Sequence, residues 1–183
     1  SNPKLSKKIF TKKDYNLPEK SFIFCCFNHN YKILPDMFET WLRILSKIKN
    51  SVIWLLIDDD IAKNNLRKIL ISRHINPDRL IFDNRVSHSE HLTRLGLADL
   101  FLDTFPYNAH TTAKEAIRVG VPIITIIGLP PAGGWVMFNK IINPTPNPTA
   151  NGIVKKIGNG TKWKKSKPTI AVTKWPKKTF FGW

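Results

Sequence analysis

Apolar runs that alternate with amphipathic helical patterns constrain the fold of this chain more than any other feature of its sequence. The runs are rich in aromatic and β-branched residues, as are strands that are buried on both faces of a sheet. Five of them occur, at Ser21–Phe27, Ser51–Ile57, Leu80–Phe82, Leu100–Leu102 and Ile123–Ile127. Single helices between consecutive strands produce a parallel sheet with right-handed crossovers. The sequence therefore predicts an α/β fold built on a Rossmann-like parallel sheet.

Helix signals fill the intervals between these runs. The predicted helices begin near Pro35, Ile61, Ser87 and Thr111 or Thr112, and they end near Asn50, Arg73, Leu97 and Gly120. Ser87 and Glu90 have the spacing of a capping box, in which a side chain binds the first free amides of a helix. Thr112 and Glu115 repeat that spacing, so one of the two threonines is expected to cap the last helix.

Polar segments follow the strands and share one edge of the predicted sheet, because the carboxyl ends of parallel strands lie together. These segments are Asn28–Lys32, Asp58–Asp60, Arg85–Ser89, Thr104–Thr112 and the residues from Gly128 onward. Open parallel sheets bind their ligands outside this edge. We therefore expect a ligand site there.

The most informative segment is Asp99–Pro122, in which a strand and a polar turn lead into His110, Thr111 and Thr112 at a helix start. The first amides of a helix have no partner within it, and the helix dipole favours negative charge at that end. The pattern therefore predicts an anion site, typically for a phosphate. An ordinary capped helix after an ordinary strand accounts for the same pattern.

Lys32 lies just past the first strand, where a compact positive charge suits a diphosphate. A solvated loop lysine is the alternative interpretation. Most of the histidines fall on or near the same edge, namely His29, His88, His91 and His110. None of them has the spacing of a zinc site. We therefore expect no metal there.

Asp58–Asp60 contains the D-x-D pattern by which some nucleotide-sugar enzymes hold a divalent cation. Aspartate is also a common helix cap, favourably placed relative to the helix dipole, and this interpretation is preferred. The chain contains no glycine-rich phosphate loop of the G-x-G-x-x-G or G-x-x-x-x-G-K type. Dinucleotide dehydrogenases and P-loop NTPases are therefore poor fits.

The net charge of +16 is concentrated at the carboxyl-terminal end of the chain. Leu129–Trp183 contains ten lysines and no acidic residue, and it has no helical or strand period. The preferred interpretation is an irregular basic tail that arose from a shifted reading frame or a degenerate end. The alternative is a disordered arm that binds nucleic acid. In that case lysines contact phosphates while Trp163, Trp175 and Trp183 stack on bases.

The two cysteines, Cys25 and Cys26, are neighbours in the first predicted strand and should point to opposite faces of the sheet. A disulfide between them is implausible, and buried thiols are typical of a reducing compartment. The amino-terminal residues are polar and basic, and no apolar run approaches membrane-spanning length. We therefore predict a cytoplasmic protein with a lead-in at 1–20, a lobe at 21–128 and the tail at 129–183.

Three segments carry a resemblance to a known family: FCCFNHNYKI, SVIWLLI and SEHLTRLGLADLFLDTFPYNAHTTAKEAIRVGVPIIT. Over Thr11–Gly128 the chain resembles the C-terminal catalytic half of the O-linked N-acetylglucosamine transferases, which include the SPINDLY proteins. The resemblance implies one lobe of a glycosyltransferase B fold that binds a nucleotide-diphosphate sugar and needs no metal or other cofactor. It further implies transfer of N-acetylglucosamine from UDP-GlcNAc to Ser or Thr hydroxyls of proteins.

The resemblance also implies roles for individual residues. Lys32 corresponds to the family's lysine on the donor diphosphate, where it assists catalysis, and His110, Thr111 and Thr112 correspond to its phosphate-binding H-T-T. Residues implied near the nucleotide are His29, Tyr31, His88, His91, Arg94 and Glu115.

The chain departs from the family pattern at three of the positions near the nucleotide. His29 stands where many members carry Gln or Asn, His88 where animal enzymes carry Lys, and Glu115 where they carry Asp. The base and sugar preferences, N-acetylglucosamine or fucose, therefore stay open, although the H-T-T sequence together with Tyr31 and Lys32 favours N-acetylglucosamine.

The family's first lobe and its helical repeats have no counterpart in this sequence. We therefore expect a donor-binding fragment that is weakly active or inactive alone, with the missing lobe a candidate partner on another chain. A truncated product that folds poorly is a further alternative, since the fifth strand would lose the helix that normally follows it.

Overall fold

The computed structural model describes Ser6 and residues 8–126 and 139–142. Its strands are β1 Phe22–Cys26, β2 Ser51–Leu56, β3 Leu80–Asp83, β4 Leu100–Leu102, β5 Ile123–Ile126 and β6 Asn139–Ile142. Its helices are α1 Pro35–Lys47, α2 Asp60–Ser72, α3 His88–Leu95 and α4 Thr111–Arg118. Short 3-10 turns lie at Lys12–Tyr15, Asn30–Lys32 and Pro77–Arg79. Among the described residues, no helix is long and apolar enough to cross a membrane.

The six strands form one sheet in the order β3-β2-β1-β4-β5-β6. The pairs from β3 to β5 are parallel, with Phe24 opposite Ile53 on β2 and Leu100 on β4. All five predicted strands are present, which confirms the α/β fold. The sequence pattern did not predict β6, which lies within the proposed tail and pairs antiparallel with β5. The rest of that tail, including Trp163, Trp175 and Trp183, lies outside the described residues.

Helices cover both faces of the sheet. The first core cluster contains Phe38 and Trp41 of α1 together with Leu66 of α2, whereas the second contains Leu95 of α3 and Ala116 of α4. The connections after β1 and β4 therefore leave the sheet on opposite sides, although the two strands are neighbours. This arrangement opens a crevice at their carboxyl ends.

Cys25 and Cys26 belong to different core clusters, which confirms that they face opposite sides of the sheet. Both are free thiols with no exposed surface. Burial raises the pKa of each thiol, and that of Cys26 rises to about 12. They are therefore unreactive core side chains at neutral pH.

The helix starts test the capping predictions. Ser87 caps α3 as predicted, since its hydroxyl accepts a hydrogen bond from the Glu90 amide at 3.4 Å. The prediction that Thr111 or Thr112 caps α4 is wrong: the N-cap residue is His110, which makes no side-chain cap bond. The Glu115 carboxylate is instead held by histidines of α3.

Candidate functional site

A cleft of about 440 Å³ opens at the predicted edge of the sheet. Its walls come from the segments after β1, β2 and β3 and from the first turn of α4. The lining residues that the sequence singled out are His29, Lys32, Asp58, Asp59, His88, His91, Arg94 and Thr112. The strand ends thus collect these side chains in one place, as the parallel topology requires.

A second depression of about 560 Å³ adjoins the cleft at Lys32. It is bounded by Tyr31 and His110 and by the loop at Pro106, Tyr107 and Asn108. The Lys32 ammonium donates a hydrogen bond to the Asn108 carbonyl at 3.4 Å. The lysine therefore contacts the loop that precedes α4, and its predicted contact with a diphosphate stays a prediction.

The loop between β4 and α4 is built around Asp103, a residue that the sequence analysis did not single out. Asp103 is 5% exposed. One of its oxygens accepts hydrogen bonds from the amides of Thr104 and Ala109, and the other accepts from the side chains of Asn108 and Thr125. These four bonds fix the path of the chain toward the start of α4. The only sequence signal was an acidic residue directly after an apolar strand.

A second link ties this loop to β1. The Asn28 amide donates to the Thr104 hydroxyl at 2.8 Å, and that hydroxyl donates to the Tyr107 carbonyl at 2.7 Å. Asn28 and Thr104 are both buried. The β4–α4 loop is therefore anchored to the neighbouring strand as well as to its own, which fits a rigid binding surface.

Two histidines share one carboxylate at the mouth of the cleft. His88 Nε2 lies 2.8 Å from Glu115 Oε1, and His91 Nε2 lies 3.6 Å from Glu115 Oε2. Arg94 Nη2 lies 3.4 Å from His91 Nδ1, and a guanidinium can only donate. His91 therefore accepts at Nδ1 and carries its proton on Nε2, toward Glu115. The interaction joins α3 to α4 and brings together three of the predicted nucleotide-site residues.

Arg94 lies at the floor of the cleft, and its side chain has no exposed surface. Its guanidinium donates to the Asp83 carboxylate at 2.7 Å and to the Asn84 carbonyl at 2.9 Å. It also lies over the Phe27 ring, 5.2 Å from the centroid. Its Nε is buried and has no hydrogen-bond partner among the residues that the structure describes. Arg94 thus fixes α3 against β3, and its predicted contact with the nucleotide stays a prediction.

His29, which lines the cleft, stacks on Tyr31, which bounds the second depression, with ring centroids 5.5 Å apart. Arg85 donates to His29 Nδ1 at 3.1 Å and pairs with Asp58 at 3.4 Å. These contacts present one flat aromatic surface beside a cation, an arrangement that suits a nucleotide base or ribose.

The three consecutive aspartates have protein partners of their own. Asp58 pairs with Arg85, Asp59 caps α2 by accepting from the Ile61 amide at 2.9 Å, and Asp60 pairs with Lys63 at 2.9 Å. This favours the capping interpretation of the D-x-D pattern. In the described part of the chain, no group of three His, Cys, Asp or Glu residues could hold a metal ion. The expectation of a metal-free site stays a prediction.

Comparisons with known proteins agree with the resemblance. A family model described as Glycosyl transferase family 41 matches residues 3–131. The chain is 42% identical over 113 residues to a probable UDP-N-acetylglucosamine–peptide N-acetylglucosaminyltransferase SEC of Arabidopsis thaliana. It is 35% identical over 118 residues to a UDP-N-acetylglucosamine–peptide N-acetylglucosaminyltransferase of Caenorhabditis elegans. These alignments cover 62% and 64% of this chain but only 12% and 10% of the relatives.

A solved structure of a Thermobaculum terrenum O-GlcNAc transferase mutant superimposes with a TM-score of 0.57 and 29% identity. The superposition covers 59% of this chain and 21% of the other. The predicted fold class, one Rossmann-like lobe of a glycosyltransferase B fold, is thereby confirmed. The chain spans about a tenth of the length of the curated relatives it matches.

Proposed function

The chain belongs to glycosyl transferase family 41, and we propose that it is the donor-binding part of a protein O-linked N-acetylglucosaminyltransferase. The observation that carries this proposal is the position of Lys32. Its side chain bridges the cleft that Thr112 lines and the depression that His110 lines. One cation therefore lies near the start of a helix, at the edge of the sheet where such folds bind nucleotides.

The proposed mechanism is electrostatic. Cleavage of the bond between the sugar and UDP leaves negative charge on the departing diphosphate. Lys32 and the free amides at the start of α4, around Thr111 and Thr112, would stabilise that charge. Loss of one such contact typically raises the barrier by about 2–4 kcal/mol. Because these groups supply positive charge and oriented dipoles, the proposed reaction requires no metal ion.

Residues that line the cleft or contact its lining would hold the nucleoside. We assign this role to the stacked rings of His29 and Tyr31 and to the group formed by His88, His91 and Glu115. Arg94 supports that group from the floor of the cleft.

The names of the two protein relatives point to UDP-GlcNAc as donor and to peptide acceptors. We therefore propose Ser or Thr hydroxyls of proteins as acceptors, with N-acetylglucosamine favoured over fucose. The acceptor-facing lobe would come from elsewhere, so this chain alone should bind donor but transfer little sugar. The proposed compartment is the cytoplasm, in line with two free buried thiols.

Calorimetry with UDP tests the donor site. We expect the folded chain to bind UDP, and Lys32→Ala to weaken binding by about tenfold because one charged hydrogen-bond donor is lost. Lys68→Ala is the matched control, since Lys68 is exposed on α2 and does not line the cleft. A folded wild-type chain that binds no UDP at millimolar concentration would overturn the proposed function.

A further inference from the structure

We propose that Asp103 is a positioning residue for the phosphate-binding half of the cleft, an inference that rests on the proposed function. Asp103 is the first residue after β4 and does not line the cleft itself. Any effect it has on a ligand must therefore pass through the residues that it holds.

The Asp103 carboxylate fixes both ends of the segment that leads to α4. Oδ1 accepts from the Thr104 amide at 2.8 Å and from the Ala109 amide at 2.7 Å, so it closes the loop on itself. Oδ2 accepts from the Asn108 amide group at 2.8 Å and from the Thr125 hydroxyl at 2.7 Å, so it ties the loop to β5. Four donors thus converge on one buried carboxylate.

The charge of the Asp103 carboxylate makes its hydrogen bonds important. Burying a carboxylate is costly unless it is paired or fully hydrogen-bonded. Among the ion pairs of the described residues none involves Asp103, so its charge is balanced by the four hydrogen-bond donors. A carboxylate offers acceptors to all four donors at once, whereas a neutral amide would present a donor of its own to two of them.

The segment that Asp103 holds connects the two proposed phosphate-binding elements. The Asn108 carbonyl accepts the Lys32 ammonium at 3.4 Å, and Ala109 directly precedes His110, the N-cap residue of α4. A displacement of this loop would therefore move the lysine and the helix start relative to each other. Both must be correctly placed to bind the terminal phosphate of a nucleoside diphosphate.

The test compares UDP with UMP in the Asp103→Asn variant of the full chain. The variant keeps the side-chain volume but places an NH₂ group against the Asn108 and Thr125 donors. We expect UDP affinity to fall by about tenfold, and UMP affinity to fall much less, because UMP lacks the terminal phosphate. Thermal unfolding by circular dichroism reports on stability separately.

Asp99→Asn is the matched control at the other end of the same strand. The Asp99 carboxylate accepts a hydrogen bond from the Ile23 amide at 2.8 Å, so its replacement also removes a carboxylate–backbone bond. It lies at the amino end of β4, away from the cleft. Its replacement should lower the unfolding temperature without changing the ratio of UDP to UMP affinity.

Three results separate the hypotheses. A wild-type chain that is folded yet binds no UDP overturns the proposed function and removes the premise. If the wild-type chain binds UDP and Asp103→Asn has the same ratio of UDP to UMP affinity as wild type, only the positioning role is overturned. If Asp103→Asn does not fold, Asn108→Ala removes one of the same bonds, and an unchanged affinity ratio in that variant also overturns the role.

Discussion

His91 is a histidine whose surroundings favour its neutral form. Burial lowers its pKa, the adjacent Arg94 guanidinium lowers it further, and the Glu115 carboxylate opposes these effects only in part. The geometry agrees, because Nδ1 must accept from Arg94, which leaves the proton of the neutral ring on Nε2, 3.6 Å from the Glu115 carboxylate. Protonation of His91 would place a second cation against a buried arginine. In the folded chain the neutral form of His91 is therefore more stable than the protonated form.

The depressed pKa of His91 predicts a loss of stability in mild acid. Below about pH 6.5 the unfolded chain binds a proton that the folded chain resists, so the free energy of unfolding falls as pH falls. We expect the unfolding temperature to drop between pH 7 and pH 5 (about the range in which histidines titrate) and to drop less in His91→Asn. Thermal melts across this range measure the difference.

His74→Asn provides the comparison for that experiment. His74 is exposed and has a left-handed backbone conformation, with φ of 56°, which asparagine adopts more readily than most residues. Its replacement removes one histidine outside the cleft and leaves His91 in place, so its melting curves are the reference for those of His91→Asn. Parallel slopes for wild type and His91→Asn would contradict the assignment of a depressed pKa to His91.

At the scale of elements, the sequence pattern predicted the strands and helix caps that depend only on residues close together in the chain. The strands follow from apolar runs buried on both faces, and the Ser87 cap from its own helix turn. The prediction of the α4 cap failed because the helix already begins at Thr111, so both threonines lie inside its first turn. Glu115, the expected capping-box partner, binds His88 of another helix, which spacing cannot reveal. The strand β6 was missed because four residues joined to β5 by backbone pairing carry no period of their own.

The candidate site also contains residues that the sequence could predict and residues that it could not. Residues at strand ends, such as Lys32 and His110, could be predicted because parallel topology alone brings them to one edge. Asp103, Asn28 and Thr104 could not, since their roles come from tertiary hydrogen bonds. Asn28 and Thr104 are separated by 76 positions, and nothing in the local sequence of either residue identifies the other as its partner.

The two helix starts give a paired prediction about stability. Ser87→Ala removes a real cap from α3 and should lower the free energy of unfolding by about 1 kcal/mol. Thr111→Ala removes a hydroxyl that caps nothing at α4, and should change stability by less than about 0.5 kcal/mol. Chemical denaturation of both variants measures the contrast. Equal losses would mean that Thr111 caps its helix in solution.

At the scale of the whole molecule, the family match and most of the net charge lie in different parts of the chain. The family match ends at residue 131, and nine of the ten lysines of residues 129–183 follow β6. The proposed donor site depends on side chains between Asn28 and Thr125. Binding of nucleotide and any binding of nucleic acid should therefore be separable by removing the residues after β6.

Deletion of residues 143–183 tests this separation while keeping β6 in the sheet. UDP affinity should stay within about twofold of wild type, because every lining residue of the cleft is retained. Any affinity for single-stranded RNA should fall steeply between about 50 and 200 mM salt and should disappear in the truncated chain, since it would come from the lysines of the tail. RNA binding that survives the deletion would place a nucleic-acid site on the lobe itself, and a loss of UDP binding would show that the tail completes the donor site.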